Sequence, residues 1–195
     1  MKILNHLECQ HINDMDKLVQ CIKTYRPDLE NLELNSVDYG SKAMKEICTL
    51  KNLKSLKISN YNGSHNPKLD FFYDLGNNCE YLENIVLGGM RYCPTSHKYR
   101  AAFNHFLGQR CQTLKSIDID FNWRSDLFAQ PNSPRVNLEN LKHCKNLEEL
   151  SVQIDGEDIA MLSEMSRLKR LVLNNSKNGV ELIPGLKSMD LSYQI

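Results

Sequence analysis

Apolar residues in this chain recur in a short phrase, Leu-x-x-Leu-x-Leu, whose gaps are filled mostly by polar or small residues. Eight copies begin at Leu4, Leu29, Leu53, Leu82, Leu114, Leu147, Leu168 and Leu186. The first reads Leu4-x-x-Leu7-x-Cys9, and the last Leu186-x-x-Met189-x-Leu191. Within each copy apolar and polar residues alternate, the period of two expected of a strand with one buried face. Between copies the apolar period lengthens to about 3.6, the signature of a helix. Tyr99, Ala102, Phe103, Phe106 and Leu107 form one such face, which Gly108 is expected to end. Asn66 and Pro67 are expected to start another, burying Leu69, Phe72 and Leu75, with Gly76 as its stop. Asp14 stands ahead of Met15, Leu18, Val19, Ile22 and Tyr25, while Asp155 and Asp158 head Ile159, Leu162 and Met165.

Strand, turn, helix, turn is therefore the unit, and successive first leucines lie 18 to 33 residues apart. Most spacings fall near the roughly 20 to 29 residues of leucine-rich repeats. No such unit can bury its apolar face alone, so neighbours must stack. The expected fold is α/β: a leucine-rich-repeat solenoid, an open horseshoe with a parallel concave sheet and convex helices. It is expected to form a single domain over residues 1–195 of about eight repeats, and neither Met1-Lys2-Ile3 nor Ser192-Tyr193-Gln194-Ile195 reads as a complete polar cap.

Three copies share a further feature. Asn78-Cys79-Glu80-Tyr81-Leu82, Arg110-Cys111-Gln112-Thr113-Leu114 and His143-Cys144-Lys145-Asn146-Leu147 each place Cys three residues before the first leucine. These phrases resemble the cysteine-containing leucine-rich repeats of F-box proteins and their relatives. The resemblance covers nearly the whole chain as a repeat class, and it implies a substrate-holding array that an F-box would link to Skp1 and the cullin ubiquitin-ligase core. Two features depart from the family: no F-box-like segment precedes the first copy, and Gly89, Asn122 and Asp155 stand where a second cysteine is usual. A stand-alone adaptor or scaffold without a ligase link is the alternative, and a cysteine-dependent enzyme an outlying one.

Charge changes the picture little, since 24 basic residues balance 24 acidic ones, leaving no global field for nucleic acid or an anionic membrane. No run of apolar residues reaches membrane-spanning length, so a cytoplasmic or nuclear chain is expected. Seven cysteines is an odd number, and most lie inside the periodic pattern, so reduced thiols are expected. Leu50, Met165 and Ile183 take the place that Cys79, Cys111 and Cys144 hold in other copies, so that place calls for a compact apolar group. No Cys-x-x-Cys pair, Gly-x-Ser-x-Gly elbow, His-Glu-x-x-His helix or phosphate-binding glycine loop occurs. No catalytic residue, metal or cofactor is therefore expected.

Function is better sought among the polar residues that alternate with the buried ones. A protein partner or substrate is expected on the concave face at Asn84, Val86, Asp118, Asp120, Glu149, Ser151 and Arg170, where Asp118, Asp120 and Glu149 would form an acidic patch suited to a basic segment. Val86 and Gly88 would be the low floor beside it. Trp123 and Arg124, in a long insertion after Ile119, are candidate contacts of a second kind, unless Trp123, Leu127 and Phe128 fold back over the core.

Overall fold

The alternation expected of the strands appears as burial. In β2 (Asn31–Asn35) and β3 (Ser55–Ser59), residues alternate between half-buried and buried along the strand. The computed structural model describes residues 5–10, 14–35, 41–59, 69–90, 97–121, 138–152, 162, 165–174 and 190–194. These include β1 (His6–Gln10), β4 (Asn84–Met90), β5 (Ser116–Phe121), β6 (Glu149–Val152), β7 (Arg170–Asn174) and β8 (Asp190–Gln194). All eight strands join one open sheet in chain order, each parallel to the next.

The register follows the repeat. Leu7, Leu32, Leu56, Ile85, Ile117, Leu150 and Leu171 stand side by side, one from each successive strand. Leu32 through Leu171 in that row are at most 1% exposed. The last strand departs from expectation: Leu171 pairs with Leu191, not Met189, and Leu173 pairs with Tyr193. A two-residue slip preserves which face each position occupies, because the side-chain period is itself two, so apolar pairing tolerates it.

Main-chain hydrogen bonds ahead of each strand set this register. The carbonyl of Glu30 accepts from the N–H groups of both Lys54 (2.7 Å) and Ser55 (3.0 Å), and that of Lys54 accepts from Glu83 (2.8 Å) and Asn84 (2.9 Å). The same fork recurs at Glu83, Lys115 and Glu148. Side chains at these positions alternate in sign, so Lys54 meets Glu30 at 2.9 Å, Lys115 meets Glu83 at 2.7 Å and Lys169 meets Glu148 at 2.7 Å. Asn52 and Asn146, just before the first leucine of their units, donate to the carbonyls of Pro27 (3.4 Å) and Gln112 (2.7 Å) in the unit before. Main chain ties each of these rungs to its neighbour, and an ion pair or a side-chain amide is added at some of them.

Among the described residues, four helices return the chain between strands: α1 (Met15–Tyr25), α2 (Ser41–Ile47), α3 (Leu69–Asn78) and α4 (His97–Arg110). Each packs on the next, and their buried residues share one continuous core with those of the strands, so the helices cover one side of the sheet. A 3-10 helix, Leu138–His143, takes their place ahead of β6 and buries Leu141. Asp14 caps α1 as expected, its carboxylate accepting from the Lys17 N–H at 3.0 Å. Met15, Val19 and Ile22 are buried, but Tyr25 is 76% exposed, for the chain leaves the helix at Arg26 and Leu29 is the residue that returns to the core. The proposed start at Asn66 and Pro67, and the Asp155 and Asp158 head, lie outside the described residues.

Neither glycine stops its helix: α3 runs through Gly76 to Asn78, and α4 through Gly108 to Arg110. Gly76 is an approach point instead, since a Cβ there would sit 3.1 Å from the Phe106 Cα. The absent side chain lets α3 lie close on α4, bringing Phe72 within 5.4 Å of Phe103 and 6.3 Å of Phe106, ring centre to ring centre. Gly108 has no such neighbour; a Cβ there would meet only the Asn140 Nδ2, at 3.8 Å. Opposite effects are therefore expected of one substitution. Gly108→Ala should raise stability by up to about 1 kcal/mol through helix propensity, whereas Gly76→Ala should lower it by about 1 kcal/mol or more as the helices are forced apart. Urea denaturation of the two variants checks the difference in sign.

Candidate functional site

Residues that alternate with the core lie on the side of the sheet away from the helices. Asn84, Val86 and Asp118 are there, half-buried, and Glu149 and Arg170 are exposed. Register brings them together: Asn84 stands beside Ser116 and Val86 beside Asp118, while Ser116 leads on to Glu149 and Glu149 to Arg170. Asp118 and Glu149 are thus diagonal neighbours on adjacent strands. With strands about 4.8 Å apart, they share one part of the face.

One expectation is corrected. Ser151 is only 7% exposed and Val172, its partner on β7, only 5%. Alternation separates inward from outward positions but says nothing about what else lies over the outward side, so along the row through Val86 and Asp118 the accessible surface ends at β5. The acidic patch is also bounded by a cation, since Arg170 stands between Glu149 and Asp190 in the register. The main chain of Asp120 belongs to β5, but its side chain, with Trp123 and Arg124, lies outside the described residues, as do Leu127 and Phe128.

What distinguishes Asp118 and Glu149 is the company they lack. Among the described strand carboxylates, Glu33 is held by Lys57 at 2.5 Å and Glu8 accepts from the Gln10 Nε2 at 2.8 Å. Neither Asp118 nor Glu149 has an ion-pair or hydrogen-bond partner among the described residues. Beside them Val86 and Gly88 lower the surface, and a Cβ built on Gly88 would touch only the Ile58 carbonyl and Ser59 Cα, at 3.9 Å. Asp118 and Glu149 thus put two carboxylates, unpaired among the described residues, on adjacent strands next to Val86.

Sequence reasoning overlooked a second group at the far edge. His6, Glu8 and Glu33 bring ligand atoms within 4.8 Å of one another. The signal was present, because Glu8 and Glu33 hold equivalent places in successive copies and pair in register. Both carboxylates are engaged by neighbours, as described, and all three side chains lie on the surface, Glu33 half-buried.

Thiols behave as packing groups. Cys48, Cys79 and Cys144 are buried, and Cys9 nearly so. Burial pushes the Cys79 and Cys144 thiols up to about 12, and Cys48 well above its ordinary value. Each donates to a main-chain carbonyl: Cys48 to Phe71, Cys79 to Cys48 and Cys144 to Asn140, at 3.6 to 3.7 Å. The thiolate, the nucleophilic form, is thus suppressed at neutral pH. Cys111 is a correction, because it is half-exposed. In the neighbouring units the first-leucine N–H returns to the buried residue three places back, as Leu82 does to Cys79 and Leu147 to Cys144. Leu114 reaches four places back, to Arg110, because α4 continues to that residue, and Cys111 packs at the margin of the core, only partly buried. Brief alkylation of the folded protein should therefore modify Cys21 and Cys111 and spare Cys48, Cys79 and Cys144, as peptide mass spectrometry would read out. Modification of Cys79 at the rate of Cys21 would contradict the packing.

His105 belongs to the helical side, its Nε2 2.9 Å from the Asn77 Oδ1 and its ring stacked on Tyr73 at 5.0 Å. Among the described residues no helix is long and apolar enough to cross a membrane. No protein-family model and no curated protein matches the chain.

Proposed function

We propose that this chain is a protein-interaction module of leucine-rich repeats, holding a partner on the open face of its sheet. The observation that carries the reading is the pair of carboxylates, Asp118 and Glu149, diagonal to each other beside Val86 and without a partner among the described residues. A sheet that engages its other described strand carboxylates leaves these two free to meet a charge from outside. The phrase spacing and the in-register parallel strands support the repeat class. The Cys79, Cys111 and Cys144 phrases support the narrower reading, in which the array is the substrate-holding part of a receptor similar to F-box ubiquitin-ligase proteins.

Affinity capture of the intact chain from cells, set beside capture by an Asp118→Lys variant of unchanged melting temperature, tests both levels. A protein retained by the first and lost by the second supports the open face as the binding surface. Ligase-core components in the same capture support the receptor reading, and their absence beside such a partner favours the stand-alone adaptor. If every captured protein survives Asp118→Lys and Glu149→Lys together, the open-face reading fails.

A further inference from the structure

We propose that His6, Glu8 and Glu33 form a binding site for a divalent transition metal ion of the zinc type, at the β1–β2 end of the sheet. The site is independent of the partner reading, since Glu33 stands three strands from Asp118. Register builds it. Glu8 lies directly beside Glu33 on the adjacent strand. His6 precedes Glu8 by two residues, the strand period, so both project from the same face. One ligand atom from each of the three side chains lies within 4.8 Å of the other two. Asn31, the register neighbour of His6, turns its amide to the Asn5 carbonyl at 3.3 Å, and His6 has no partner among the described residues.

Groups outside the trio hold the carboxylates in place. The Gln10 amide donates to Oε1 of Glu8 at 2.8 Å, and the Lys57 ammonium holds Oε1 of Glu33 at 2.5 Å. Ligating carboxylates are commonly braced from outside in this way. Each has a second oxygen, so the bracing fixes both groups without exhausting their capacity as ligands. Donor type then decides the metal. One imidazole nitrogen with two carboxylate oxygens suits a borderline ion such as zinc better than calcium or magnesium, which favour all-oxygen sets. Three protein ligands leave the fourth tetrahedral position to water, from the solvent side. Bonds of about 2.1 Å set ligand atoms about 3.4 Å apart, so relative shifts of no more than about 1.4 Å close the site. His6 and Glu8 are exposed and have room to make them. The Lys57 charge opposes a second cation nearby, which keeps the site weaker than a buried structural one.

Zinc chloride added to the intact chain at neutral pH, its accessible thiols first alkylated, tests this by calorimetry and amide NMR. One equivalent should bind and shift the resonances of β1 and β2, and magnesium at the same concentration should not. His6→Ala should abolish the event, and Glu8→Gln and Glu33→Gln should each weaken it at least about tenfold. His143→Ala, exposed ahead of β6, should leave it unchanged. Unchanged urea midpoints keep a loss of binding from being a loss of fold. No zinc binding, equal affinity of the His6→Ala variant, or shifts that avoid β1 and β2 overturn the site. Binding that needs His6 but is indifferent to both glutamine variants would mean a lone surface imidazole, and the three-residue site would be wrong.

Discussion

Phe72→Ala is expected to lower the free energy of unfolding by about 3 to 5 kcal/mol, the range for deleting a buried aromatic ring. Phe72 is 1% exposed and sits where α3 meets α4, its ring 5.4 Å from those of Phe71 and Phe103. Removing it takes a hydrophobic contribution and leaves a cavity that the close α3–α4 approach at Gly76 prevents from collapsing. A natural domain has only about 5 to 15 kcal/mol in hand, so this one change is expected to bring the chain near unfolding at room temperature. Tyr73, one residue on, is the internal comparison. It is 36% exposed and stacks only on His105 among the described rings, so Tyr73→Ala should cost no more than about 1 kcal/mol. Urea titrations of both variants decide the matter, and equal losses would refute the packing of α3 on α4.

The second large effect is alkaline. Cys79 and Cys144 have folded pKa values of about 12 against an ordinary 9.0, because burial penalises the thiolate. A raised folded value means that the unfolded chain loses its proton first. The stabilisation is complete below pH 9 and disappears as pH climbs from 9 towards 12. Each thiol then contributes a loss of roughly 1.4 kcal/mol per pH unit, up to about 4 kcal/mol over that window. Lys54, whose ammonium is held above its usual range by Glu30, adds little, because that pair is solvent-screened. Thermal melts between pH 7 and 11 should show stability falling above pH 9, and Cys79→Ala with Cys144→Ala should flatten that slope while lowering stability at pH 7. An unchanged slope in the double variant would mean that these thiols are not buried as described.

Much of the scaffold was legible because the alternation of apolar residues has only one way to face a core. Leu32, Leu56, Ile85, Ile117 and Leu150 could be assigned to a buried row from their spacing, and they are at most 1% exposed. The helices between them were legible from apolar faces such as Val19 and Ile22 or Phe103 and Phe106. Their ends were read less well, because glycine acts in two ways. Gly76 is small to admit a neighbouring helix, and a local pattern cannot distinguish that from a stop signal. The alternating Glu30, Lys54, Glu83, Lys115, Glu148 and Lys169 were equally visible and went unread, since only the stacked register shows that residues some 20 to 30 places apart become neighbours.

The candidate surface divides in the same way. Sequence alone determined which residues point away from the core, because the strand period of two admits no other arrangement, and it placed Asn84, Val86, Asp118, Glu149 and Arg170 there. Tertiary structure decided which of those positions remain available. It buried Ser151 and Val172, set Arg170 against Glu149, engaged Glu33 with Lys57 and left Asp118 without a partner among the described residues. Periodicity is a property of one strand and can be read along the chain; burial and pairing on an outward face depend on what neighbouring units bring beside it, and that is settled only when the units stack.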